Sequence, residues 1–174
     1  VANAQPVVFY GKYGRMALSY NGNLVNADSL RQKMIQKGHI FQSSVDAEVI
    51  ATQINECDSD KIEESIYLAS RKFVGAFAFV VLAGNKLIAV RDSYGLKPLI
   101  MGEKDGDIIF ASESSALDAL DAKIIRDVEP GEIVVVDTYG NIESTRFGAA
   151  TPRPCIFEYV YLARSDSVID DISV

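Results

Sequence analysis

The fold is decided by the stretch GAFAFVVLAGNKLIAVRD, residues 75–92, in which two apolar runs flank a short turn. Runs rich in Val, Ile and Phe are typical of β-strands, and so short a connection joins two strands into an antiparallel hairpin. Almost every side chain in both runs is apolar, which indicates strands that are buried on both faces. Strands of this kind predict two sheets that stack face to face between layers of helices.

The same strand pattern recurs farther along the chain, whereas the earlier segments have mostly helical spacing. PLIMGE and DIIFASE flank the turn KDG, and GEIVVVDTYGNIESTRF predicts another hairpin that turns at residues 139–141. Near the start, GRMALSYNG predicts a half-buried strand. The fold class is therefore α+β, with helices predicted over residues 26–37, 46–56, 60–72 and 114–120.

The composition is that of an ordinary globular chain. Its 174 residues predict one domain over residues 1–174, and 48% apolar with 24% charged residues is typical of soluble proteins. A net charge of −7 argues against a nucleic acid or a membrane as partner. Cys57 and Cys155 form no paired motif, which fits a reducing cytoplasm. Neither a membrane span nor a signal peptide is predicted.

The stretch YNGNLVNADSL, residues 20–30, allows two interpretations. Asn and Gly tolerate positive φ, so these residues alone favour a turn at the end of a strand. The alternative is a site in which the side-chain amide of Asn21 and the backbone of Gly22 supply two hydrogen-bond donors directed at one point.

Seven segments, read together, favour the second interpretation. In chain order they resemble the glutaminase domain of the amidophosphoribosyltransferase family, and the resemblance covers essentially the whole chain. The last segment is the most particular to this family and speaks against two related glutaminase domains, those of glucosamine-6-phosphate synthase and asparagine synthetase. The segments are YNGNLVN, GHIFQSSVDAEVI, VGAFAFVVL, RDSYGLKPLIMG, FASESSALDAL, IRDVEPGEIVVVD and RPCIFEYVYLARSDSVIDDISV.

The resemblance implies an N-terminal-nucleophile (Ntn) hydrolase fold, a four-layer αββα sandwich with antiparallel sheets, here lacking the family's N-terminal segment. It also implies a reaction that opens purine biosynthesis. Ammonia is released from glutamine and passed to phosphoribosylpyrophosphate, which gives 5-phosphoribosylamine. The second half-reaction belongs to a phosphoribosyltransferase domain that residues 1–174 would not include. The implied partners are glutamine, that domain or chain, and further copies in a dimer or tetramer of the intact enzyme.

The resemblance assigns roles to three residues. Asn21 and Gly22 match the family's oxyanion hole, which stabilises the negative oxygen of the tetrahedral intermediate. Asp46 matches the aspartate that holds the α-ammonium group of glutamine through a charge-assisted bond. Asp46 can also be interpreted as a helix-terminal residue that interacts with the macrodipole. Two neighbours depart from the family pattern: Tyr20 stands where histidine is usual, and Val45 where a hydroxyl residue is usual.

Cys155 matches one of the four cysteine ligands of a [4Fe–4S] cluster that some family members bind. One thiol cannot hold such a cluster, so no cofactor is expected in this chain, and a cluster and Mg²⁺ would belong to the intact enzyme. Cys57 and the sole histidine, His39, are expected to be structural.

Three further residues match family positions without an expected chemical role. Arg91 and Asp92 match the RD that precedes the YG turn, and Lys97 stands where arginine is common. We expect them to support the strand ends and not to act as catalysts.

The family's nucleophile is an N-terminal cysteine whose α-amine acts as the base, whereas residue 1 here is Val. The arginine that binds the α-carboxylate of glutamine would also lie in the segment that has no counterpart here. Cys57 and Cys155 are internal and cannot replace the nucleophile, so these 174 residues alone are expected to be inactive. The sequence is then a fragment or a split enzyme, or else a non-catalytic paralogue that binds a ligand or partner through the same pocket.

Overall fold

The computed structural model describes residues 4–174, so the expectation that concerns Val1 lies outside the described residues. No helix in this part of the chain has the length and apolarity that a membrane crossing requires. The helices are α1 (Ala27–Gln36), α2 (Asp46–Asn55), α3 (Ile62–Ser70) and α4 (Ser114–Ala119), with a π-helical segment at Glu158–Leu162. The strands are β1 (Val7–Gly11), β2 (Gly14–Leu24), β3 (Gly75–Ala83), β4 (Lys86–Arg91), β5 (Ile100–Lys104), β6 (Asp107–Ala111), β7 (Lys123–Asp127), β8 (Glu132–Asp137), β9 (Ile142–Arg146), β10 (Val168–Ile169) and β11 (Ile172–Ser173).

The hairpin predicted from residues 75–92 lies at the centre of a six-stranded antiparallel sheet, here called the large sheet. Its strand order is β1-β2-β3-β4-β8-β9. The hairpin strands β3 and β4 pair from Ala83 opposite Lys86 to Ala78 opposite Arg91. The hairpin β8–β9 extends the sheet beyond β4, so both of these hairpin predictions are confirmed.

A second, smaller antiparallel sheet with the strand order β6-β5-β7 packs on one face of the large sheet. The predicted hairpin of PLIMGE and DIIFASE forms its β5–β6 pair. Ala78 and Val134 of the large sheet share an apolar cluster with Met101 of the small sheet. On the outer face of the small sheet, Leu117 of α4 packs against Ile100. The small sheet is therefore covered on both faces.

Helices α1, α2 and α3 cover the opposite face of the large sheet. Leu18 of β2 and Ile50 of α2 are fully buried in this layer, and Phe77 stacks on Phe79 with 5.9 Å between the ring centroids. The succession of helices, large sheet, small sheet and helix confirms the predicted four-layer αββα sandwich. Its fourth layer is the six-residue helix α4.

Strands β1 and β7 and the C-terminal elements lie outside the sequence predictions. Among the described strands, β7 pairs only with β5, at the edge of the small sheet, and its Ile124 and Ile125 remain 40% and 41% exposed. The π-helical segment leaves Val160 and Tyr161 exposed. The apolar residues of these segments are exposed and follow neither a helical nor a strand period, so the local sequence does not predict their structure. It depends on pairing with distant parts of the chain.

An ion pair fastens the C-terminal hairpin β10–β11 to the large sheet. Asp170, in the turn of this hairpin, accepts hydrogen bonds of 2.7 and 2.9 Å from the two terminal nitrogens of Arg91. The Arg91 side chain is only 1% exposed. Its buried charge is thus compensated by a carboxylate from near the far end of the chain.

Candidate functional site

Asn21 and Gly22 lie inside strand β2 and not in a turn. They pair with Ala78 and Phe77 of β3, in a ladder that runs without a break from Met16 to Leu24 of β2. The chain turns only after Leu24. The turn favoured by the local sequence is therefore wrong, because long-range pairing with β3 overrides the local preference of Asn and Gly.

Gly22 is required by the close approach of the neighbouring strand. Its φ is +147°, and a Cβ atom at this position would lie 2.1 Å from the carbonyl oxygen of Ala76. Gly75 of β3 is its reciprocal, with a φ of +144° and a Cβ position 2.2 Å from the carbonyl oxygen of Asn23. The two backbones thus approach each other at two glycines. The packing of β3 therefore by itself requires glycine at position 22.

The second half of β2 has a free edge on the side opposite β3. Within residues 4–174, the pairing with β1 stops where Val7 meets Leu18. Beyond that point, side chains satisfy two amides of β2: the N–H of Tyr20 donates to Oε1 of Gln5, and the N–H of Leu24 donates to Oδ2 of Asp46. Because alternate amides of a strand share an edge, we expect the N–H of Gly22 to lie between these two, on the same edge.

Asn21 projects from β2 into a cleft of about 390 Å³ between the two sheets. The large sheet contributes Ser19 and Phe79 to its lining, and the small sheet contributes Phe110. The Asn21 side chain is partly exposed and makes no hydrogen bond to any residue between 4 and 174. Its NH₂ group is therefore available as a donor to a ligand in the cleft.

Asp46 is the first residue of α2, but its side chain reaches β2 and does not cap its own helix. Its Oδ2 accepts a 2.8 Å hydrogen bond from the N–H of Leu24 and a 3.0 Å hydrogen bond from the hydroxyl of Tyr20. The helix N-terminus also favours the negative charge. The two interpretations of Asp46 are therefore compatible in geometry: it sits at a helix terminus and is bound to the strand that carries Asn21 and Gly22.

The contact between Tyr20 and Asp46 is a feature that the sequence analysis missed. In the sequence, Tyr20 stands out only as a departure from the family pattern. No local pattern links it to Asp46, which lies 26 positions later. Burial, and then the negative charge of Asp46, raise the pKa of the Tyr20 hydroxyl far above its usual value of 10.0. The phenol therefore stays protonated and acts as a hydrogen-bond donor.

The structural role expected for Arg91 and Asp92 agrees with their contacts. Oδ2 of Asp92 accepts hydrogen bonds from the N–H groups of Phe77 and Leu96, both at 3.1 Å. Arg91 donates to backbone carbonyls around the following turn, including that of Gly95 at 3.0 Å. Both side chains are about 1% exposed, which leaves no surface for a substrate.

Within residues 4–174, neither cysteine belongs to a group of side chains that could bind a metal. Cys57 is buried, and its thiol donates to the carbonyl oxygen of Gln53 at 3.3 Å. His39 pairs with Glu56 at 2.7 Å. Cys155 is partly exposed on the C-terminal segment, and residues 4–174 contain no cluster of three or more His, Cys, Asp or Glu residues that could hold a metal ion. A [4Fe–4S] cluster needs four ligands, so these residues do not fit one on their own.

The chain is similar in sequence to proteins of known identity. A family model described as a glutamine amidotransferase domain matches residues 1–119. An amidophosphoribosyltransferase of Methanocaldococcus jannaschii is 43% identical over 100% of this chain, which spans 41% of that protein. The Bacillus subtilis amidophosphoribosyltransferase is 38% identical over 99% of this chain, which spans 36% of it. The chain thus corresponds to about two fifths of these relatives.

A solved structure extends the likeness to three dimensions. It is the glutamine phosphoribosylpyrophosphate amidotransferase of B. subtilis in complex with ADP and GMP, and it superposes with a TM-score of 0.94 at 37% identity. The superposition covers 98% of this chain and 38% of that one. This match confirms the Ntn-hydrolase fold. The chain belongs to the glutamine amidotransferase domain family.

Proposed function

We propose that this chain is the glutaminase part of an amidophosphoribosyltransferase. It would hydrolyse glutamine and supply the ammonia that converts phosphoribosylpyrophosphate into 5-phosphoribosylamine. The observation that carries the proposal is the arrangement on β2. The side-chain amide of Asn21, which has no hydrogen-bond partner within residues 4–174, and the backbone of Gly22 lie on the strand to which the Asp46 carboxylate is bound, next to a cleft.

In this mechanism a cysteine thiolate attacks the carboxamide carbon of glutamine, and the carbonyl oxygen becomes negatively charged. That thiolate comes from outside the described residues. The NH₂ of Asn21 and the N–H of Gly22 donate to the developing oxyanion, and one such donor is worth roughly 3–4 kcal/mol in the transition state. Asp46 binds the α-ammonium group, which selects an amino acid over a simple amide. Ammonia then leaves, and water releases glutamate.

Several properties of the whole protein are part of the proposal. The relatives are more than twice the length of this chain, which supports a phosphoribosyltransferase domain or chain as partner. We propose that the protein acts in the cytoplasm, because its two free cysteines suit a reducing compartment. We also propose that the intact enzyme is a dimer or tetramer. A [4Fe–4S] cluster with Cys155 as one ligand, and Mg²⁺, would depend on residues outside this chain.

The test is isotope transfer in the full-length protein. With glutamine labelled with ¹⁵N in its amide and with phosphoribosylpyrophosphate, we expect the label in 5-phosphoribosylamine. Full-length protein in which Asn21 is replaced by Ala should transfer far less label, but it should still use free ammonia. Binding of glutamine without any release of ammonia would overturn the proposal in favour of a non-catalytic paralogue.

A further inference from the structure

We propose that Tyr20 is a positioning residue whose hydroxyl fixes the Asp46 carboxylate in the orientation that receives the α-ammonium group of glutamine. The inference rests on the proposed function, because it takes Asp46 as a substrate-binding residue. It adds a division of labour between the two carboxylate oxygens of Asp46. Oδ2 is held by the protein, and Oδ1 receives the substrate.

The hydrogen bonds of Asp46 support this division. Both donors, the N–H of Leu24 at 2.8 Å and the hydroxyl of Tyr20 at 3.0 Å, bind the same oxygen, Oδ2. No donor from residues 4–174 binds Oδ1. Two donors on one oxygen restrict rotation of the carboxylate, so the direction of Oδ1 is set before a ligand arrives.

The charge of Asp46 has no protein counterion in the described part of the chain. No Lys, Arg or His side chain of residues 4–174 forms an ion pair with it. The carboxylate is partly buried at the start of α2. A partly desolvated carboxylate without a cation favours a positively charged ligand group, and a primary ammonium can donate directly to Oδ1.

Tyr20 is suited to hold Asp46 in place. Its ring packs against the apolar cluster between the helices and the large sheet. Its backbone lies in β2, where Tyr20 pairs with Phe79 of β3. The hydroxyl thus projects from a rigid strand, and the raised pKa keeps it protonated. The donor is therefore permanent in both position and protonation state.

The simpler alternative is that the Tyr20 hydroxyl only ties α2 to β2. Tyr13 provides a matched control, because its hydroxyl makes a similar tie. It donates to the carbonyl oxygen of Ser59 at 2.7 Å and links the β1–β2 turn to the segment before α3. Tyr20→Phe and Tyr13→Phe delete the same atom, and both would lower stability. Only the first should change how the enzyme recognises its substrate.

The kinetic test uses the full-length enzyme with glutamine and with its analogue that lacks the α-amino group. For Tyr20→Phe we expect KM for glutamine to rise by about fivefold to thirtyfold with little change in kcat. The effect should be smaller than the outright loss of a hydrogen bond to a charged group, because the N–H of Leu24 still binds Oδ2 of Asp46. The analogue should be hydrolysed as before, and Tyr13→Phe should change neither substrate. An equal effect of Tyr20→Phe on both substrates would overturn the positioning role.

A crystal structure of the Tyr20→Phe variant provides a readout that does not depend on activity. We expect the Asp46 side chain in an altered or a second rotamer, with the same fold around it. An unchanged single rotamer would overturn the inference. If the wild-type enzyme releases no ammonia from glutamine, the proposed function fails, and the substrate assigned to Oδ1 fails with it. The rotamer of Asp46 still decides whether Tyr20 positions it.

Discussion

Asn21 is the side chain whose removal tests the proposed chemistry most directly. In the complete enzyme, Asn21→Ala removes one of the two donors proposed for the oxyanion, so glutamine-dependent kcat should fall by roughly 10²-fold or more. The reaction with free ammonia should hardly change, because it uses the other domain. Steady-state kinetics with each nitrogen source measure both effects.

The control for this substitution is Asn85→Ala, which removes the same amide from an exposed turn between β3 and β4. It should leave both reactions unchanged. If Asn21→Ala lowers the glutamine and the ammonia reactions equally, its effect is misfolding and the oxyanion role is wrong.

A single substitution at Asp46 provides a second test of the proposed substrate binding. Asp46→Asn keeps the shape, and its side-chain oxygen can still accept from the N–H of Leu24, but the charge is lost. A hydrogen bond to a charged group is worth about 1.5–3 kcal/mol, so kcat/KM for glutamine should fall by roughly 10- to 150-fold. Turnover of the analogue without the α-amino group should be nearly unaffected, because it never made this contact.

The helix-terminal interpretation of Asp46 predicts a different result. It allows only a modest loss of stability, which would affect every substrate alike. A variant that still discriminates glutamine from the analogue as well as the parent does would show that Asp46 has no part in recognition.

The sequence could propose roles for Asn21, Gly22 and Asp46 because a family resemblance covers these positions. It could not show that Tyr20 contacts Asp46, since this contact joins a strand to a helix. Nor could it show that the carbonyl of Ala76 leaves no room for a side chain at Gly22, because this clash depends on how β2 and β3 pair. Both facts are properties of tertiary packing, which a local pattern does not contain.

At the scale of the elements, the close approach of β2 and β3 means that a substitution at Gly22 lowers the stability of the fold. A kinetic experiment alone would not detect this loss. In Gly22→Ala, the new methyl group meets the carbonyl of Ala76 at a φ that L-residues rarely adopt. We expect a loss of about 3 kcal/mol or more in the free energy of unfolding, which urea denaturation measures. Reduced glutaminase activity of this variant would therefore not by itself identify an oxyanion hole.

Gly14→Ala is the matched control, since Gly14 also has a positive φ, +79°, but open space around it. At Gly14 only the strain of the left-handed backbone applies, so the free energy of unfolding should fall by about 1–2 kcal/mol. Equal losses for the two variants would show that β2 and β3 separate easily at Gly22.

The end of β7 should make the stability of the domain depend on pH. Burial, and then the charge of Asp170, raise the pKa of Asp127 from 3.8 to about 6. A raised folded-state pKa means that this carboxyl stabilises the fold fully below pH 4 and loses its contribution as pH rises through about 6. Asp127→Asn should therefore raise Tm at pH 7 by about 2–4 °C, equivalent to about 1 kcal/mol after solvent screening, and by little near pH 4.

Asp137 is the control of opposite sign for this experiment. Hydrogen bonds from Asn141, above all the one from its side chain, lower the pKa of Asp137, the last residue of β8. Its stabilisation is present at neutral pH and lost on acidification, so Asp137→Asn should lower Tm at pH 7 and matter less in acid. Thermal melts at both pH values would contradict the assignment if Asp127→Asn destabilised the protein at pH 7.

Strands that belong to hairpins with a recognisable turn were predictable, including the edge strands β6 and β9, whereas the edge strands β1 and β7 were not predicted. The β3–β4 hairpin is almost wholly apolar and folds as predicted, whereas β7 is the short stretch KIIRD, whose two adjacent isoleucines do not alternate with polar residues. The strand β2 was predicted, but its end was not, since the residues Asn21 and Gly22 have the local preferences of a turn.

For the whole molecule, the chain of 174 residues without additions should release no ammonia from glutamine. The reason is the absence of an N-terminal thiol: Cys57 is buried in a helix-side layer, and Cys155 lies in the C-terminal segment. Addition of the upstream segment of a relative, with its terminal cysteine, should restore release. A coupled ammonia assay with a heat-killed control checks this, and activity of the unextended chain would contradict it.

The arrangement of layers was predictable because strands buried on both faces need a cover on each side. The assignment of strands to the large or the small sheet was not, since β8 joins β4 across more than 40 residues of chain, from Val90 to Ile133. The site depends on this assembly. The cleft beside Asn21 exists only because the small sheet supplies its second wall.

The buried Arg91 also has a consequence for the order of events during synthesis. Its carboxylate partner lies 79 positions later in the chain. At about 5–20 residues per second, the ribosome needs roughly 4–16 s to supply it. Until then the guanidinium lacks the carboxylate that forms its ion pair within residues 4–174, so burying its charge between the strands costs more free energy. We therefore expect the nascent domain to gain its full stability only once Asp170 has been synthesised and can pair with Arg91.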